Sequence, residues 1–95
     1  MKLTHNGKRY DTDKCKHIAE LDHHNYNNNY TGTTYLGIAS DGQLIKWRTT
    51  NGQDLYAYPY AEPLTLTEAQ AELEGDNWAI DDALAVQHGL ITIVA

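Results

Sequence analysis

Cys15, His17, His23 and His24, with Asp22 among them, are the side chains of this chain best equipped to hold a transition metal. Zinc takes four such ligands in a tetrahedron, usually drawn from paired Cys or His positions at fixed short spacings. Cys-x-His followed by two adjacent histidines fits no such spacing, because neighbouring side chains seldom turn to the same side. The plainer expectation is a partly buried Cys15 beside solvent-facing histidines, with no resident metal and no cofactor. A metal-binding protein built on Cys15 and the nearby histidines stands as the alternative. One cysteine in the whole chain also excludes an internal disulfide.

Tyr56, Tyr58 and Tyr60 recur at i, i+2 and i+4, as a stacking platform for single-stranded bases would. Their neighbours are acids and prolines instead of Lys and Arg, so Tyr56 and Tyr58 are expected in the core, and Lys46 and Arg48 on a solvated strand face. No nucleophile elbow, phosphate-cradling glycine loop, H-E-x-x-H or calcium loop occurs, and the chain is expected not to be an enzyme.

Carboxylates remain. The net charge is −6, but it is unevenly placed. All seven Lys and Arg lie at or before Arg48, where five acids leave that half at +2. From Thr49 onward there are eight acids and no Lys or Arg, giving −8. A one-sign field of this kind repels nucleic-acid phosphate and steers basic surfaces toward it, in a salt-dependent way. Glu68 and Glu72 share a helix face at i, i+4, and Glu74, Asp76, Asp81 and Asp82 gather at the start of a second helix. Acids at a helix N-terminus are favourable; Glu72 and Glu74 approach a C-terminus, where the macrodipole opposes them and no cation is near in sequence. These six residues are the candidate partner-binding set, and their partner is a basic protein surface, with no direct nucleic acid and no membrane.

The elements that must carry them can be read from turn residues and periodicity. At 95 residues the chain makes one domain, 1–95. Asn6-Gly7 suits a two-residue hairpin turn. Asp11-Thr12-Asp13 followed by Cys15, Ile18, Ala19 and Leu21 predicts a short helix over about 12–22, and the His- and Asn-rich stretch from Asp22 to Tyr30 a surface loop. Thr33–Ala39, Gln43–Thr49 and Asp54–Tyr60 read as three strands joined at Asp41-Gly42 and Asn51-Gly52. Two-residue turns there would set Ile38 opposite Ile45, Leu36 opposite Trp47, Trp47 opposite Tyr56 and Ile45 opposite Tyr58, with all six large side chains on one face. Thr67-Glu68-Ala69-Gln70 predicts a capping box for a helix over about 67–74, closed by Gly75. A second helix is expected from Trp78 to about His88, capped by Asp76 or Asn77. Leu90–Val94 reads as a last strand that joins the meander or pairs across a dimer axis. The expected fold class is α+β: an antiparallel β-meander of four to five strands with two or three short helices packed on its aromatic face.

Lys8-Arg9-Tyr10-Asp11-Thr12-Asp13, the hairpin from Tyr35 to Trp47, and Pro63-Leu64-Thr65 with Glu68-Ala69 together resemble a group of small proteins of phages and other bacterial mobile elements. Those proteins open with K-x-Y-D-T, carry a β-hairpin, and end in P-L-[ST]-x-x-E-A before a helix. The resemblance covers residues 8–74 loosely and brings no catalytic residues with it. It implies a genomic setting in which small acidic proteins bind and inhibit host machinery, including nucleic-acid-handling defence systems. The expected function is therefore an anti-CRISPR-like accessory inhibitor, cytoplasmic, that docks its acidic helices on a basic host surface. The alternative in another class is a homo-oligomeric structural module using Leu90–Val94 as the dimer edge.

Overall fold

Asn6 and Gly7 both take positive φ, 51° and 75°, the type I′ geometry their residue types favour. They join β1 (Lys2–His5) to β2 (Lys8–Asp11) as an antiparallel hairpin. The computed structural model describes residues 1–52 and 57–94.

The helix expected over 12–22 does not form. The Asp11 side chain accepts a hydrogen bond from the Asp13 amide and starts a single 3-10 turn, Thr12–Lys14, but Cys15 is already extended and Lys16–His24 is strand β3. Ala19, Leu21 and His23 turn inward while Glu20, Asp22 and His24 stay exposed, the alternation of a half-covered strand. Tertiary pairing outweighs the helix propensity of Ala, Glu and Leu here. The loop expected from Asp22 to Tyr30 shortens to residues 25–29, where Asn25 Oδ1 accepts from the amides of Asn27 and Asn29. β4 (Tyr30–Ile38) returns beside β3, with a bulge at Ile18 that lets both Ile18 and Ala19 enter one core.

The second hairpin departs from the predicted register by one residue. Asp41 does not take positive φ, whereas Gly42 does, at 92°. The Ala39 amide bonds to the Gln43 carbonyl and the Gly42 amide to the Ala39 carbonyl. This is a three-residue loop, Ser40-Asp41-Gly42, in the type I plus bulge arrangement. β5 (Leu44–Arg48) therefore pairs Ile38 with Leu44, Leu36 with Lys46, and Tyr35 with Trp47. Of the large residues predicted on one face, Leu36 and Ile38 lie on one side of the sheet and Ile45 and Trp47 on the other.

The third strand is also displaced. Residues 53–56, with Tyr56 and half of the strand expected at Asp54–Tyr60, lie outside the described residues; Tyr58 is 71 % exposed instead of core-facing. The strand beside β5 is β6 (Tyr60–Leu64), which sets Trp47 opposite Ala61 and Ile45 opposite Pro63. Proline is tolerated because β6 is an edge strand.

Helix α1 (Leu66–Gly75) begins at Thr65, whose hydroxyl accepts from the Glu68 amide while the Glu68 carboxylate accepts from the Thr65 amide. The capping box is thus Thr65-x-x-Glu68, two residues before the predicted one, and it turns Ala69 and Leu73 inward. We expect Thr65→Ala to destabilise the fold by about 1 kcal/mol, and Thr65→Ser to restore most of that, in urea titrations. Trp78 is buried before a two-residue strand, β7 (Ala79–Ile80), so helix α2 is shorter than expected: Asp82–Gln87, capped by Asp81. Leu90–Val94 forms no strand. Leu90 is buried on the core, while Ile93 and Val94 are exposed.

The fold is α+β. Five antiparallel strands in the order β6-β5-β4-β3-β7 form the central sheet. On one face lie α1, α2 and residues 90–91, enclosing Ile18, Ala19, Leu36, Ile38, Leu44, Leu64, Ala69, Leu73, Trp78, Ala85 and Leu90. The aromatic face is covered by the β1–β2 hairpin instead of the helices. There Tyr10 and Cys15 pack on Ile45 and Trp47, with Tyr35 stacked on Trp47 at 5.3 Å.

The hairpin layer is pinned by the Tyr10 hydroxyl, which donates to Asp41 Oδ2 at 2.7 Å beside Lys8 Nζ at 3.3 Å. That bond first, then the Gln43 amide and Lys8, hold the Asp41 carboxyl below its ordinary range. A depressed carboxyl stabilises the fold above its unfolded value and loses that contribution as pH falls through the folded one. Tyr10→Phe is therefore expected to flatten the loss of stability below about pH 4, read as urea midpoints across pH 2.5–6.

Candidate functional site

Edge strand β6 and helix α1 enclose a groove of about 420 Å³, lined by Glu62, Pro63, Leu64, Glu68, Ala71, Glu72, Gly75 and Asp76. Glu68, Glu72 and Asp76 stand at i, i+4 and i+8, so the helix pitch sets them along one wall. Glu62 faces them from β6. Four acidic residues thus line one concave surface.

Lys46 is the counterion of two of them, Glu62 and Glu72. Its ladder partner is Glu62, so both side chains leave the helix-covered face of the sheet together. Lys46 Nζ donates to Glu72 Oε1 at 2.7 Å, reaches Glu62 Oε1 at 3.6 Å, and lies 6.0 Å from the centre of the Tyr60 ring. The Lys46 side chain is 17 % exposed, so the expectation of a solvated lysine fails: the helices cover the face of β5 opposite Ile45 and Trp47, and α1 lies over it. Burial alone lowers its pKa, but the bond to Glu72 and the charges around it win, and the ammonium is held above its ordinary value. One cation against four carboxylates leaves the groove at −3.

The structure divides the six predicted partner-binding residues. Glu68, Glu72 and Asp76 line the groove, and two of these have local duties: Glu68 in the capping box, which holds its carboxyl low, and Glu72 on Lys46. Glu74 lines a separate cleft with Gln70, Leu73 and Leu90. Asp81 accepts from the Leu84 amide as the cap of α2, and Asp82 lies in its first turn. Glu62 was missed, because the third strand was expected at Asp54–Tyr60.

The metal-ligand types do not converge. Cys15 is buried under the hairpin, with burial and the nearby Asp11 and Asp41 raising its pKa. His17 lies on the same face of the sheet, against Tyr35 and Trp47 at 4.8 and 5.3 Å. His23 is on the opposite face, where Nε2 shares a 2.6 Å hydrogen bond with Thr34 Oγ1. Burial first, and then Arg48, lower the His23 pKa. His24 packs against Tyr30. Among the described residues no three His, Cys, Asp or Glu side chains are placed to hold a metal ion.

Charge is also separated across the layers. Lys2, Lys8, Arg9, Lys14 and Lys16 belong to the first sixteen residues, the hairpin, the turn beyond it and the start of β3, whereas the only charged residues of the helices are acids. No helix among the described residues is long and apolar enough to cross a membrane. No family model, curated protein or solved structure matches this chain.

Proposed function

We propose that this chain is a binding protein that acts by occlusion, without catalysis, docking the β6–α1 groove on a basic surface of a partner. The observation that carries the reading is the convergence of Glu62, Glu68, Glu72 and Asp76 on one groove with a single internal cation. A net negative concave surface speeds encounter with Lys- and Arg-rich surfaces and disfavours nucleic acid itself. The basic surfaces most exposed to such competition are those that handle nucleic acid. An accessory protein of a phage or other mobile element, working in the cytoplasm as an inhibitor of a host defence system, fits the groove and the sequence resemblance together.

The test separates the groove from bulk charge. Glu62→Lys with Asp76→Lys changes two groove residues whose side chains take no part in the capping box; Glu74→Lys with Asp82→Lys makes the same change in net charge elsewhere. Binding to an arginine-rich peptide, and capture of a partner from host lysate, should fall at least about tenfold in the first variant and much less in the second. Added salt should weaken binding by the unmodified chain steeply. Equal losses in the two variants would show that the acids act only as diffuse charge, and the proposed groove would be discarded.

A further inference from the structure

At the end of the sheet marked by the Ser40-Asp41-Gly42 loop lies a second site of opposite character. Two adjoining clefts share Ile38, Gly42 and His88. The first, about 220 Å³, is lined by Lys14, Lys16, Ser40 and Gln87 with the shared residues and Ala39. The second, about 330 Å³, continues over Gln43, Leu44, Leu64 and Leu66. One end offers two ammonium groups, a hydroxyl, an amide and an imidazole. The other is aliphatic, and Leu66 there is 46 % exposed.

The two lysines are not spent on the fold. Among the described residues neither Lys14 nor Lys16 has a carboxylate within ion-pair distance. The acids nearest in sequence are already engaged: Asp11 accepts from the Asp13 amide, Asp13 faces the N-terminal amine at 3.8 Å and Glu20 lies 3.5 Å from His17; Asp41, in the loop at the cleft, is held by Tyr10, Lys8 and the Gln43 amide. Three carbonyls at the end of α2, those of Leu84, Ala85 and Val86, accept from the amides of His88, Leu90 and Gly89. A chain of net charge −6 thus keeps an unneutralised positive corner beside an open aliphatic trough. Pockets that orient small ligands combine a mostly apolar wall with a few placed polar groups in this way.

We infer that this composite cleft binds a small anionic amphiphile, a carboxylate or phosphate head on an aliphatic tail, with the head at Lys14 and Lys16 and the tail along Ile38, Leu44, Leu64 and Leu66. The head is fixed by charge-assisted hydrogen bonds, which are stronger than neutral ones. The tail leaves water against side chains already present, so no rearrangement is needed. This inference does not depend on the acidic groove, with which the cleft shares only Leu64.

Decanoate, below its micelle concentration, is the probe, followed by amide shifts in nitrogen-15 spectra. We expect saturable shifts confined to residues 14–16, 38–44, 64–66 and 87–88, with a dissociation constant on the order of 0.1–1 mM. Decyl phosphate should bind the same residues, whereas decanol, decyltrimethylammonium and acetate should each bind at least about tenfold more weakly. Lys14→Glu with Lys16→Glu should abolish the preference for decanoate over decanol. Leu66→Ser should weaken both amphiphiles while leaving that preference in place; since Lys14, Lys16 and Leu66 are exposed, the spectra should show each variant folded. Shifts centred on Tyr58, Ile93 or Val94, or equal binding of the cationic and anionic amphiphiles, would overturn the assignment.

Discussion

Alanine at Gly37 is expected to cost about 3 kcal/mol or more, a large share of a total stability on the order of 5–10 kcal/mol. An added Cβ would stand 2.7 Å from the Lys16 carbonyl oxygen and 2.7 Å from the Trp47 indole. Neither can yield cheaply. The carbonyl belongs to β3, paired directly beside β4, and the indole is buried, stacked on Tyr35 and met edge-on by His17. Overpacking of a filled core forces backbone shifts of this order. The control is Gly75→Ala, where an added Cβ meets nothing within 4 Å at the end of α1; it should be neutral or slightly stabilising. The comparison also tests the register. Leu36 opposite Trp47 would put Gly37 on the other face, away from the ring, and Gly37→Ala would then unfold at the same urea concentration as the parent.

That register shows where local rules in the sequence stop being decisive. Asp-Gly serves both a two-residue type I′ turn and the last two positions of a three-residue loop, because each places glycine at positive φ. The φ of Asp41 chooses between them, and residue type does not. Alternation could not break the tie. Leu36, Ile38 and Leu44 face one core, Tyr35, Ile45 and Trp47 the other, so either pairing puts large residues on both sides. A strand covered on both faces reads as a continuous apolar run. β3 was legible by contrast: Ala19, Leu21 and His23 alternate with Glu20, Asp22 and His24, a period-2 signal that lost to the apparent helix cap at Asp11. The first hairpin, the existence of β4 and β5, and a capped helix followed by a short second one were all readable, since each rests on local chemistry.

The candidate groove divides in the same way. Its helical wall is visible in the spacing of Glu68, Glu72 and Asp76. Its strand wall is not, because Glu62 belongs to a strand that follows a long connection after β5, and Pro59 and Pro63 argue against a strand there. Lys46 was hidden because the helices were expected on the aromatic face, whereas the hairpin covers that one and α1 covers the face that Lys46 occupies. The absence of a cation near Glu72 in sequence was therefore no guide to its absence in space.

Lys46→Met should uncouple stability from binding, and it is the sharpest expected effect at this groove. The parent ammonium meets Glu72 at 2.7 Å and Glu62 at 3.6 Å. Removing it leaves two carboxylates facing each other, with Glu68 and Asp76 along the same wall. Breaking a fully buried pair costs about 3–5 kcal/mol, but Glu72 is 30 % and Glu62 48 % exposed, so water screens much of the loss and about 1–2 kcal/mol is expected. The sign against pH follows from the raised Lys46 pKa. While the glutamates are ionised, the pair stabilises the fold below the unfolded lysine value of about 10.5 and loses that contribution as pH rises through the folded one. Parent and variant should therefore differ in urea midpoint near pH 7 and converge at strongly alkaline pH. Binding should move the other way. With its counterion gone the groove passes from −3 to −4, and its affinity for an arginine-rich peptide should rise several-fold, with a steeper dependence on salt. Glu72→Gln in the Lys46→Met background should recover stability and return affinity toward the parent, because it removes the exposed charge that both effects share. A variant that loses affinity along with stability would mean that Lys46 only shapes the groove, and that the carboxylates around it are not what a partner reads.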